Sequence, residues 1–578
     1  MNRTRRTFLA IMGLTAAGIV AIISSSKHGL ISGASLNLAN IVVSQPVQVT
    51  IASSVTKKKW LEAAAKEFAT QGIKTKSGEA ISIEVGGVLS GDSLLNLLSG
   101  KLQPVVWSPG EESWIAQFRD RWSERGNRPA MTEPCKPTIY TPAGLAMWRP
   151  MAEALGWPNG KVGWKTIIDL AADPQGWARY GHPEWGKLKL GHTHPQYSSA
   201  GLLFLTSVIY GITGQTHGLK AEQIYDKRVE QMLSALAQNT SKYGMVTTDL
   251  FNLMAQQGPD YLHAVAAFEE GVARFNMEHA AELRWPLAFV FPAEGTFWSD
   301  HPYCILDGAG WVSNEQAEAA RLFLDFLRAK EQQSMAIQFM LRPLDSKVPV
   351  GTPLTLENGT DPKVRPETVP AFEVPDARTS AAIIDQFRAT KRKATAMLVL
   401  DVSGSMEGQP IRSATEATAA FLKRLDPRDD VGLIIFNDNI NVVSEVQPAS
   451  VIAEGLSEKV RNLIAGGGTN LYGALCTAAN KVNDRKRVDL ARGENRLYGI
   501  IVLSDGADTN GQVSETKMFQ TCLPATVEAN GTKVFTIAFG EGANKDVLGR
   551  IAHVSGGAAY DANAASIDQT YLKISAEQ

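Results

Sequence analysis

Oxygen-bearing side chains are concentrated in three short segments near the C-terminal end of the chain. Two carboxylates and three hydroxyls stand out: Asp401, Ser403, Ser405, Thr469 and Asp505. No thiolate or imidazole belongs to the set, so the donors suit a hard cation. Mg²⁺ prefers octahedral oxygen geometry and retains water, so five side chains, some acting through water, leave a coordination position free. The pattern predicts a divalent-metal site for Mg²⁺, with Mn²⁺ and Ca²⁺ as alternatives.

The predicted elements around these segments explain how they could meet. The first segment follows the apolar run TAMLVL, the third follows LYGIIVL, and the second precedes the helix-like LYGALCTAANKVN. VGLIIF and TKVFTIAFG read as further buried strands, and helix-like segments alternate with all of them. This alternation predicts a doubly wound, Rossmann-like α/β sheet, which binds ligands at the carboxyl ends of its strands.

The three segments resemble a known metal site. The DxSGS segment, the threonine after a glycine run and the SDG segment are similar to the metal-ion-dependent adhesion site of von Willebrand factor A domains. The resemblance implies direct metal contacts from the three hydroxyls, mostly water-mediated contacts from the two carboxylates, and a partner protein whose acidic residue fills the open position. Metal-activated water would need a base, and the pattern holds neither His nor Glu, so we expect no enzyme.

The N-terminal part of the chain also alternates strands with helices. VQVTIASS, ISIEVGG and PVVWS are predicted strands, and KKKWLEAAAKEF, SLLNLLSG and EESWIAQF are predicted helices. Long helices are expected at GLLFLTSVIYGITG and DYLHAVAAFEEGVARF. Segments such as PAGLAMWRPMAEALGWP, GHTHPQYSSAGLLFL and FPAEGTFWSDHPYCILDG make this part similar to two-lobed periplasmic solute-binding proteins.

That second resemblance implies a ligand cleft between two lobes, where hydroxyls and helix N-termini favour anions. Six hydroxyl residues that precede predicted helices are the candidate ligand-binding residues: Ser53, Ser54, Ser108, Thr193, Ser198 and Ser199. Each could equally be a helix cap. His192 and His194 form an HxH pair, but no later Glu or His completes a zinc site.

Length and proline content divide the chain. Its 578 residues exceed what one core holds, and five prolines in 351–376 predict an extended connector. The predicted organisation is an N-terminal signal or anchor (1–27), a solute-binding-like domain (47–345), a proline-rich linker with a short helix (346–393) and a von Willebrand factor A domain (394–578).

The four cysteines show neither zinc-site nor CxxC spacing. In an oxidising compartment two disulfides are plausible, Cys135–Cys304 and Cys476–Cys522, although the sequence does not fix the pairing and buried free thiols are the alternative. Within the solute-binding resemblance, the first pair would lie at the strands that cross between the lobes and would restrict their opening.

The first residues predict export. Arg3, Arg5 and Arg6 precede an uncharged stretch, which places the N-terminus in the cytoplasm and the rest of the chain outside it. The run TRRTFL resembles a twin-arginine signal, with an ordinary charged leader as the alternative. SGA at 32–34 offers a cleavage site, whereas the apolar stretch is long enough to remain as a membrane anchor, which we favour.

The formal net charge is −2, so no field of one sign argues for nucleic acid. We expect an envelope scaffold, anchored through its N-terminal segment, that captures a partner protein at the metal. The alternative is a receptor whose N-terminal domain binds a small solute and whose metal domain couples it to a membrane complex. A metal-dependent hydrolase ranks last because a base is missing.

Overall fold

The computed structural model describes residues 45–505, 508–523, 531–540 and 542–577. The predicted export signal, its cleavage site and the membrane anchor lie outside these residues. Within them, no helix combines the length and the apolar sequence that crossing a bilayer requires.

Contacts group the chain from Pro46 onward into one compact unit. We distinguish three parts of it, an N-terminal body (46–345), a connector (346–393) and a C-terminal body (394–577).

The strands of the N-terminal body are β1 (Val47–Ser53), β2 (Ile81–Gly87), β3 (Val106–Ser108), β4 (Thr141–Trp148), β5 (Leu190–Thr193), β6 (Thr240–Gly244), β7 (Ala264–Phe268), β8 (Leu287–Val290), β9 (Trp298–Ser299) and β10 (Cys304–Ile305). Its helices are α1 (Lys58–Thr70), α2 (Ser90–Leu98), α3 (Ser113–Ser123), α4 (Arg149–Ala154), α5 (Trp164–Ala172), α6 (Ser199–Thr213), α7 (Ala221–Ile224), α8 (Lys227–Gln238), α9 (Thr247–Gln257), α10 (Glu269–Glu278), α11 (Asn314–Arg328) and α12 (Lys330–Gln338). Short 3₁₀ turns cover Val55–Lys57, Gly176–Tyr180 and Pro183–Trp185.

These elements build two lobes, each around its own sheet. In the first lobe the strand order is β10-β3-β1-β2, with β1 parallel to both β2 and β3. In the second lobe the order is β6-β5-β7-β4-β8, and β4 runs antiparallel to β7 and β8. The chain crosses from the first lobe to the second before β4 and returns between β9 and β10. The interface between the lobes is therefore formed by loops and by helix ends.

Apolar faces of the helices cover both sheets. Helix α1 buries Trp60, Leu61, Ala64 and Phe68, a spacing that places them on one side of the helix. Phe68 packs edge-on against Phe323 of α11, with ring centroids 5.2 Å apart. Full burial of each such large apolar side chain stabilises the fold by about 1.5–3 kcal/mol.

The expected long helix at DYLHAVAAFEEGVARF is wrong in its first half. Ala264–Phe268 form strand β7 between β4 and β5, and the helix begins only at Glu269. All five residues of the strand are buried, because helices cover both faces of the sheet. A strand buried on both faces shows no alternation of apolar and polar residues, so its periodicity does not distinguish it from a helix.

The connector, which is described throughout, contains neither a helix nor a strand before Ala377, but successive turns fold much of it, so it is not the extended, free tether that its prolines predict. Phe372 is buried, and the N–H of Phe289 donates to Gly359 O over 2.7 Å. The guanidinium of Arg342 is paired with Glu269 and also donates to Asp361 O and Val364 O. The connector therefore lies along the second lobe. Helix α13 (Ala377–Thr390) completes it.

The strands of the C-terminal body are β11 (Ala394–Asp401), β12 (Asp430–Phe436), β13 (Ile440–Pro448), β14 (Leu497–Ser504), β15 (Lys533–Phe539) and β16 (Ala559–Ala562). Its helices are α14 (Gln409–Arg424), α15 (Ala449–Arg461), α16 (Leu471–Ala491), α17 (Glu515–Lys517), α18 (Lys545–Val554) and α19 (Ile567–Glu577). A 3₁₀ turn covers Gly404–Met406, and a π-helical turn covers Met518–Cys522.

The sheet of this body has the order β13-β12-β11-β14-β15-β16. The five strands β12, β11, β14, β15 and β16 run parallel, each to its neighbour in this order. β13 pairs with β12 in the antiparallel direction and forms an edge of the sheet. β11 and β14, which precede the first and third oxygen-bearing segments, are neighbours in the centre. The sequence did not predict β13, whose half-exposed residues are typical of an edge strand.

The N-terminal body packs against the amino ends of these parallel strands. Lys533 begins β15, and its Nζ donates to Ser241 O in the second lobe over 2.7 Å. Arg392, which precedes β11, donates to Thr240 O. The carboxyl ends of the strands, where the oxygen-bearing segments lie, form the opposite edge of the sheet.

Candidate metal centre and solute cleft

Asp401, the last residue of β11, is the most deeply buried member of the predicted metal set, with 0% of its surface exposed. Its Oδ1 accepts from the N–H of Ser403 over 2.8 Å, and its Oδ2 accepts from the hydroxyl of Ser504 over 2.5 Å. Burial raises the pKa of this carboxyl, and the nearby charge of Asp505 contributes to the rise. A cation at this site would relieve that unfavourable burial of negative charge.

The two serines of the first segment meet the aspartate of the third. Ser403 Oγ lies 3.1 Å from Ser405 Oγ, and Ser405 Oγ donates to Asp505 Oδ1 over 2.8 Å. Ser403 is buried whereas Ser405 is exposed, so the cluster reaches from the sheet interior to the solvent. Two hydroxyls and a carboxylate within hydrogen-bonding distance form a compact set of oxygen donors open to solvent.

The second segment is tied to the first through the backbone. The N–H of Gly404 donates to Gly467 O over 2.9 Å, and the N–H of Gly466 donates to Val402 O over 2.8 Å. Gly467 has φ +86°, and a Cβ there would lie 2.5 Å from Asp438 Oδ2, so only glycine fits. These bonds bring Thr469 to the same edge of the sheet as the serines.

Several residues outside the predicted metal set hold Thr469 in position. Thr509 Oγ1 accepts from the N–H of Thr469, and Asp438 Oδ2 accepts from the N–H of Gly468. The amide of Asn437 donates to Gly466 O. Ser504, the partner of Asp401, was also missed. Its position between a buried strand and Asp505 was the available signal.

The donor chemistry fits a hard divalent cation. Carboxylate and hydroxyl oxygens dominate the set, as Mg²⁺ prefers. Across the described ranges, no three His, Cys, Asp or Glu side chains are grouped to hold a metal. The hydroxyls of Ser403, Ser405 and Thr469 would therefore have to supply much of the coordination, with Asp401 and Asp505 supplying the charge.

Both anticipated cysteine pairs are joined as disulfides. Cys135 and Cys304 have an S–S distance of 2.10 Å and link the segment before β4 to β10, where the chain crosses between lobes. Cys476 and Cys522 have an S–S distance of 1.92 Å and link α16 to the π-helical turn.

A cavity of about 350 Å³ lies between the two lobes. Of the six hydroxyl residues predicted for the cleft, Ser54, Ser198 and Ser199 line it. The other three hydroxyls are not among the lining residues and bond to neighbouring groups: Ser53 to Ser54 O, Ser108 to Pro302 O, and Thr193 to Ser198 Oγ. Ser53, Ser108 and Thr193 therefore support the walls of the cavity.

Four helices begin at this cavity, α2, α6, α9 and α10. In each, the N-cap residue makes no side-chain capping bond; these residues are Leu89, Ser198, Val246 and Phe268. The first turn of a helix carries N–H groups without intrahelical partners and a partial positive charge. The cavity is therefore suited to an anion.

Charged side chains at the cavity escaped the sequence prediction. Arg274 pairs with the buried carboxylate of Glu270 over 2.5 Å, and burial raises the pKa of Glu270. Lys59 lies 3.7 Å from Glu278. Because each cation already faces an anion, these pairs leave the cavity close to neutral and the helix starts decide its polarity.

The rings of His192 and His194 pack against aromatic side chains. The His192 ring packs 5.0 Å from Phe204 and 4.9 Å from Tyr243, and the His194 ring packs 5.1 Å from Phe387. Burial lowers the pKa of His192 to about 4 and that of His194 to about 3. Both rings are therefore neutral near pH 7; His192 is buried, whereas His194 is partly exposed.

Comparisons with known proteins match these two bodies separately. Residues 49–339, half of the chain, match the family model of bacterial extracellular solute-binding proteins. Residues 397–572 match the model of the von Willebrand factor type A domain. The predicted two-part α/β organisation is thereby confirmed, and both matched domains are of binding types rather than enzymatic families.

Curated relatives match about a quarter of the chain. The uncharacterized protein sll0103 of Synechocystis sp. is 31% identical over 157 residues, which are 27% of this chain and 34% of that protein. Inter-alpha-trypsin inhibitor heavy chain H1 of Sus scrofa is 29% identical over 133 residues, which are 23% of this chain and 15% of that protein. The chain thus spans about a third or less of these relatives' own length.

Solved structures of a periplasmic binding protein and of a von Willebrand factor type A protein each resemble part of the chain. A periplasmic thiamin binding protein, 16% identical, covers 63% of this chain and is itself covered completely (100%), with a TM-score of 0.41. A von Willebrand factor type A protein from Catenulispora acidiphila is 19% identical to this chain. The match covers 32% of this chain and 42% of that protein, with a TM-score of 0.28. On the evidence of the family models, the chain belongs to the bacterial extracellular solute-binding protein family and carries a von Willebrand factor type A domain at its C-terminal end.

Proposed function

We propose that this protein is a scaffold of the cell envelope that captures a partner protein through a divalent cation held by the C-terminal domain. One observation carries the proposal. Hydroxyls and carboxylates from separate segments meet at the solvent-facing carboxyl edge of the sheet, where Ser405 Oγ bridges Ser403 Oγ and Asp505 Oδ1. Mg²⁺ bound there would retain an open position for an acidic residue of the partner.

The packing of the domains supports this assignment. The solute-binding domain contacts the amino ends of the sheet, for example through the bond from Lys533 Nζ to Ser241 O. The edge with the metal set lies at the other end of the same strands, where Ser405 is exposed. A partner could therefore reach the metal without displacing the solute-binding domain.

Membership of an extracellular binding-protein family supports export. We propose that the N-terminal segment directs export, with twin-arginine transport as the favoured route, and that it then remains as a membrane anchor. The metal edge would then face partners in the periplasm or at the outer face of the cytoplasmic membrane.

The test compares the full chain with Asp505→Asn and with Asp561→Asn, an exposed control carboxylate in the same domain. We expect Mg²⁺ to raise the melting temperature of the wild type and of Asp561→Asn but not of Asp505→Asn. Capture of a protein from envelope extract should follow the same order and should be lost with EDTA. Equal Mg²⁺ responses in all three proteins would contradict the proposal.

A second candidate function is a receptor whose cleft binds a small anionic solute and whose metal domain transmits that binding. The observation that favours it is the position of helix α13, which joins the two domains. This helix packs against α3 in the first lobe and against α6, α7 and α8 in the second. Arg388 on it donates to Gln196 Oε1 over 2.8 Å, close to the serines of the cavity.

The same helix is clamped to the C-terminal domain. Arg428 donates to Ala389 O over 2.6 Å and also to Arg388 O, both at the end of α13. A change in the distance between the lobes would therefore shift α13 and the contact that it makes with the C-terminal domain.

Hydrogen exchange tests this route. The receptor predicts that saturating the cleft with a bound solute slows amide exchange in α13, and that Arg388→Ala reduces this effect beyond the helix. Protection that stays confined to the cavity in the wild type would favour the scaffold alone.

A further inference from the structure

A lysine that serves neither the metal site nor the walls of the cleft lies directly behind the cavity. Lys57 is 0% exposed, although it stands in a run of three lysines whose other members face solvent. Its Nζ lies 3.1 Å from the hydroxyl of Ser54, which lines the cavity. An ionisable group is therefore one hydrogen bond away from the site where a solute would bind.

The surroundings of Lys57 Nζ consist of hydrogen-bond acceptors. The amine donates to Ser108 O over 2.8 Å and to Pro109 O over 3.0 Å, and His301 Nδ1 lies 3.3 Å away. His301 Nε2 lies 2.7 Å from Thr141 Oγ1, so when Nε2 carries the ring proton, Nδ1 is an acceptor. Three N–H donors of an ammonium group thus find more than three acceptors, and the charged form fits the geometry.

The charge state of Lys57 decides what Ser54 offers to the cavity. An ammonium group donates to Ser54 Oγ, so the hydroxyl proton of Ser54 can point either at a ligand in the cavity or at His301 Nδ1, which lies 3.5 Å away. A neutral amine instead accepts that proton and leaves only lone pairs towards the cavity. The charged form of Lys57 therefore prepares Ser54 for an anion, as the helix starts around the cavity also do.

Burial opposes this charge. It lowers the pKa of Lys57 well below the usual value, and the carboxylate of Asp300 offsets only part of that effect. The titratable and charged groups facing this region from the packed elements are Asp300, His301, Glu111, Glu112 and Tyr140. Burial also raises the pKa of Asp300 to about 6, which weakens it as a counter-charge.

An anion in the cavity would supply the missing negative charge. When hydrogen-bonded to Ser54, it would lie within about 6 Å of Lys57 Nζ, a distance at which opposite charges raise the pKa of an amine. Resting on the anion-binding role of the cleft, we propose that Lys57 takes up a proton when an anion binds at Ser54 and releases it when the anion leaves.

The sign of the linkage follows. If the complex binds more protons than the free protein, affinity for the anion rises as the pH falls through the range in which Lys57 titrates. A protein facing the periplasm would then bind its solute more tightly under acidic conditions and release it under alkaline ones.

Calorimetry of the full chain with sulfate tests the proposal, because sulfate carries no titrating proton near neutral pH. The titration is repeated in buffers of different ionisation enthalpy, with EDTA present to silence the metal domain. We expect uptake of up to about one proton per sulfate. The association constant for sulfate should fall by up to about tenfold for each unit by which the pH rises. Lys57→Met should bind sulfate without proton uptake, whereas Lys58→Met, the same change at the adjacent lysine, which pairs with Glu62 and does not line the cavity, should keep it.

Each outcome is decisive. Sulfate binding without proton uptake by the wild type would overturn the role of Lys57 and leave the anion cleft standing. Absence of sulfate binding to the wild type would contradict the cleft itself, and the inference with it. Uptake that persists in Lys57→Met and vanishes in Glu111→Gln would assign the proton to Glu111 and overturn the proposal. The wild-type measurement holds even where Lys57→Met fails to fold.

Discussion

Thr509 holds Thr469 through a reciprocal pair of hydrogen bonds. Its Oγ1 accepts from the N–H of Thr469 over 2.9 Å, and its own N–H donates to Thr469 O over 2.8 Å. The segment after the third oxygen-bearing segment thus fixes the backbone of the second, and a change in either would reach the hydroxyl proposed to contact the metal.

Replacement of Thr509 by valine tests this relationship. Valine keeps the shape and the backbone bond but removes the acceptor for Thr469 N–H. Loss of one such bond lowers the free energy of unfolding in EDTA by about 1 kcal/mol. Because Thr469 is then held less firmly, we also expect the affinity for Mg²⁺ to fall by up to about fivefold. Calorimetric titration with Mg²⁺ measures it. Thr532→Val, which removes only the exposed bond to Asn483, should leave the affinity unchanged. An unchanged affinity in Thr509→Val would exclude a positioning role.

Replacement of Asp401 tests separately how the protein responds to the metal and how stable it is without the metal. Asparagine retains an acceptor for Ser403 N–H and presents a donor that Ser504 Oγ can accept, and it carries no charge into the buried site. In EDTA, we expect the free energy of unfolding of Asp401→Asn to equal that of the wild type or to exceed it by about 1 kcal/mol, because an uncompensated buried charge is costly. Thermal unfolding with and without Mg²⁺ should show that only the wild type gains from the metal. A marked loss of stability in EDTA would contradict this balance.

The predicted metal set and the strands that precede it were accessible from the sequence because their signals are local. Apolar runs bounded by Asp401 and Asp505 indicate strands that end in polar residues, and parallel strands bring such ends together. Thr509 and Asp438 carry no comparable signal. Their role depends on which amide of another loop they face, and that is decided only by the tertiary fold.

The cleft shows the same limit. Ser54 lines the cavity, whereas the hydroxyl of Ser108 donates to the carbonyl of Pro302 and Ser108 is not among the lining residues. Both precede helices and look alike in the sequence. Lys57 is an extreme case, because a lysine among lysines predicts a solvated helix face, whereas the turn before α1 directs this one into the interior.

Breaking the buried ion pair that anchors the connector should strongly destabilise the fold. Arg342 and Glu269 have side chains only 4% and 1% exposed and are joined by two bonds. Arg342→Met leaves the carboxylate without its partner, so we expect a loss of about 3–5 kcal/mol in the free energy of unfolding. Arg378→Met removes a pair whose side chains are 80% and 67% exposed and should cost less than about 1 kcal/mol. Urea titration of both variants measures the contrast, and similar costs would show that the connector does not depend on Arg342.

Glu111 should make the stability of the N-terminal domain depend on pH. Burial raises the pKa of Glu111 to about 7, although Ser113 donates to it through its N–H and its hydroxyl. Since the folded pKa lies above the unfolded one, the folded protein binds more protons between the two values. Stability contributed by this group is thus full at low pH and is lost as the pH rises from about 4.5 to about 7. Glutamine imitates the protonated carboxyl at every pH. We therefore expect the free energy of unfolding of Glu111→Gln to equal that of the wild type at about pH 4.5 and to exceed it by about 1–3 kcal/mol at about pH 8. Denaturant titrations at the two values measure the difference. A gap between the two proteins that stays constant with pH would show that the carboxyl titrates normally despite its burial.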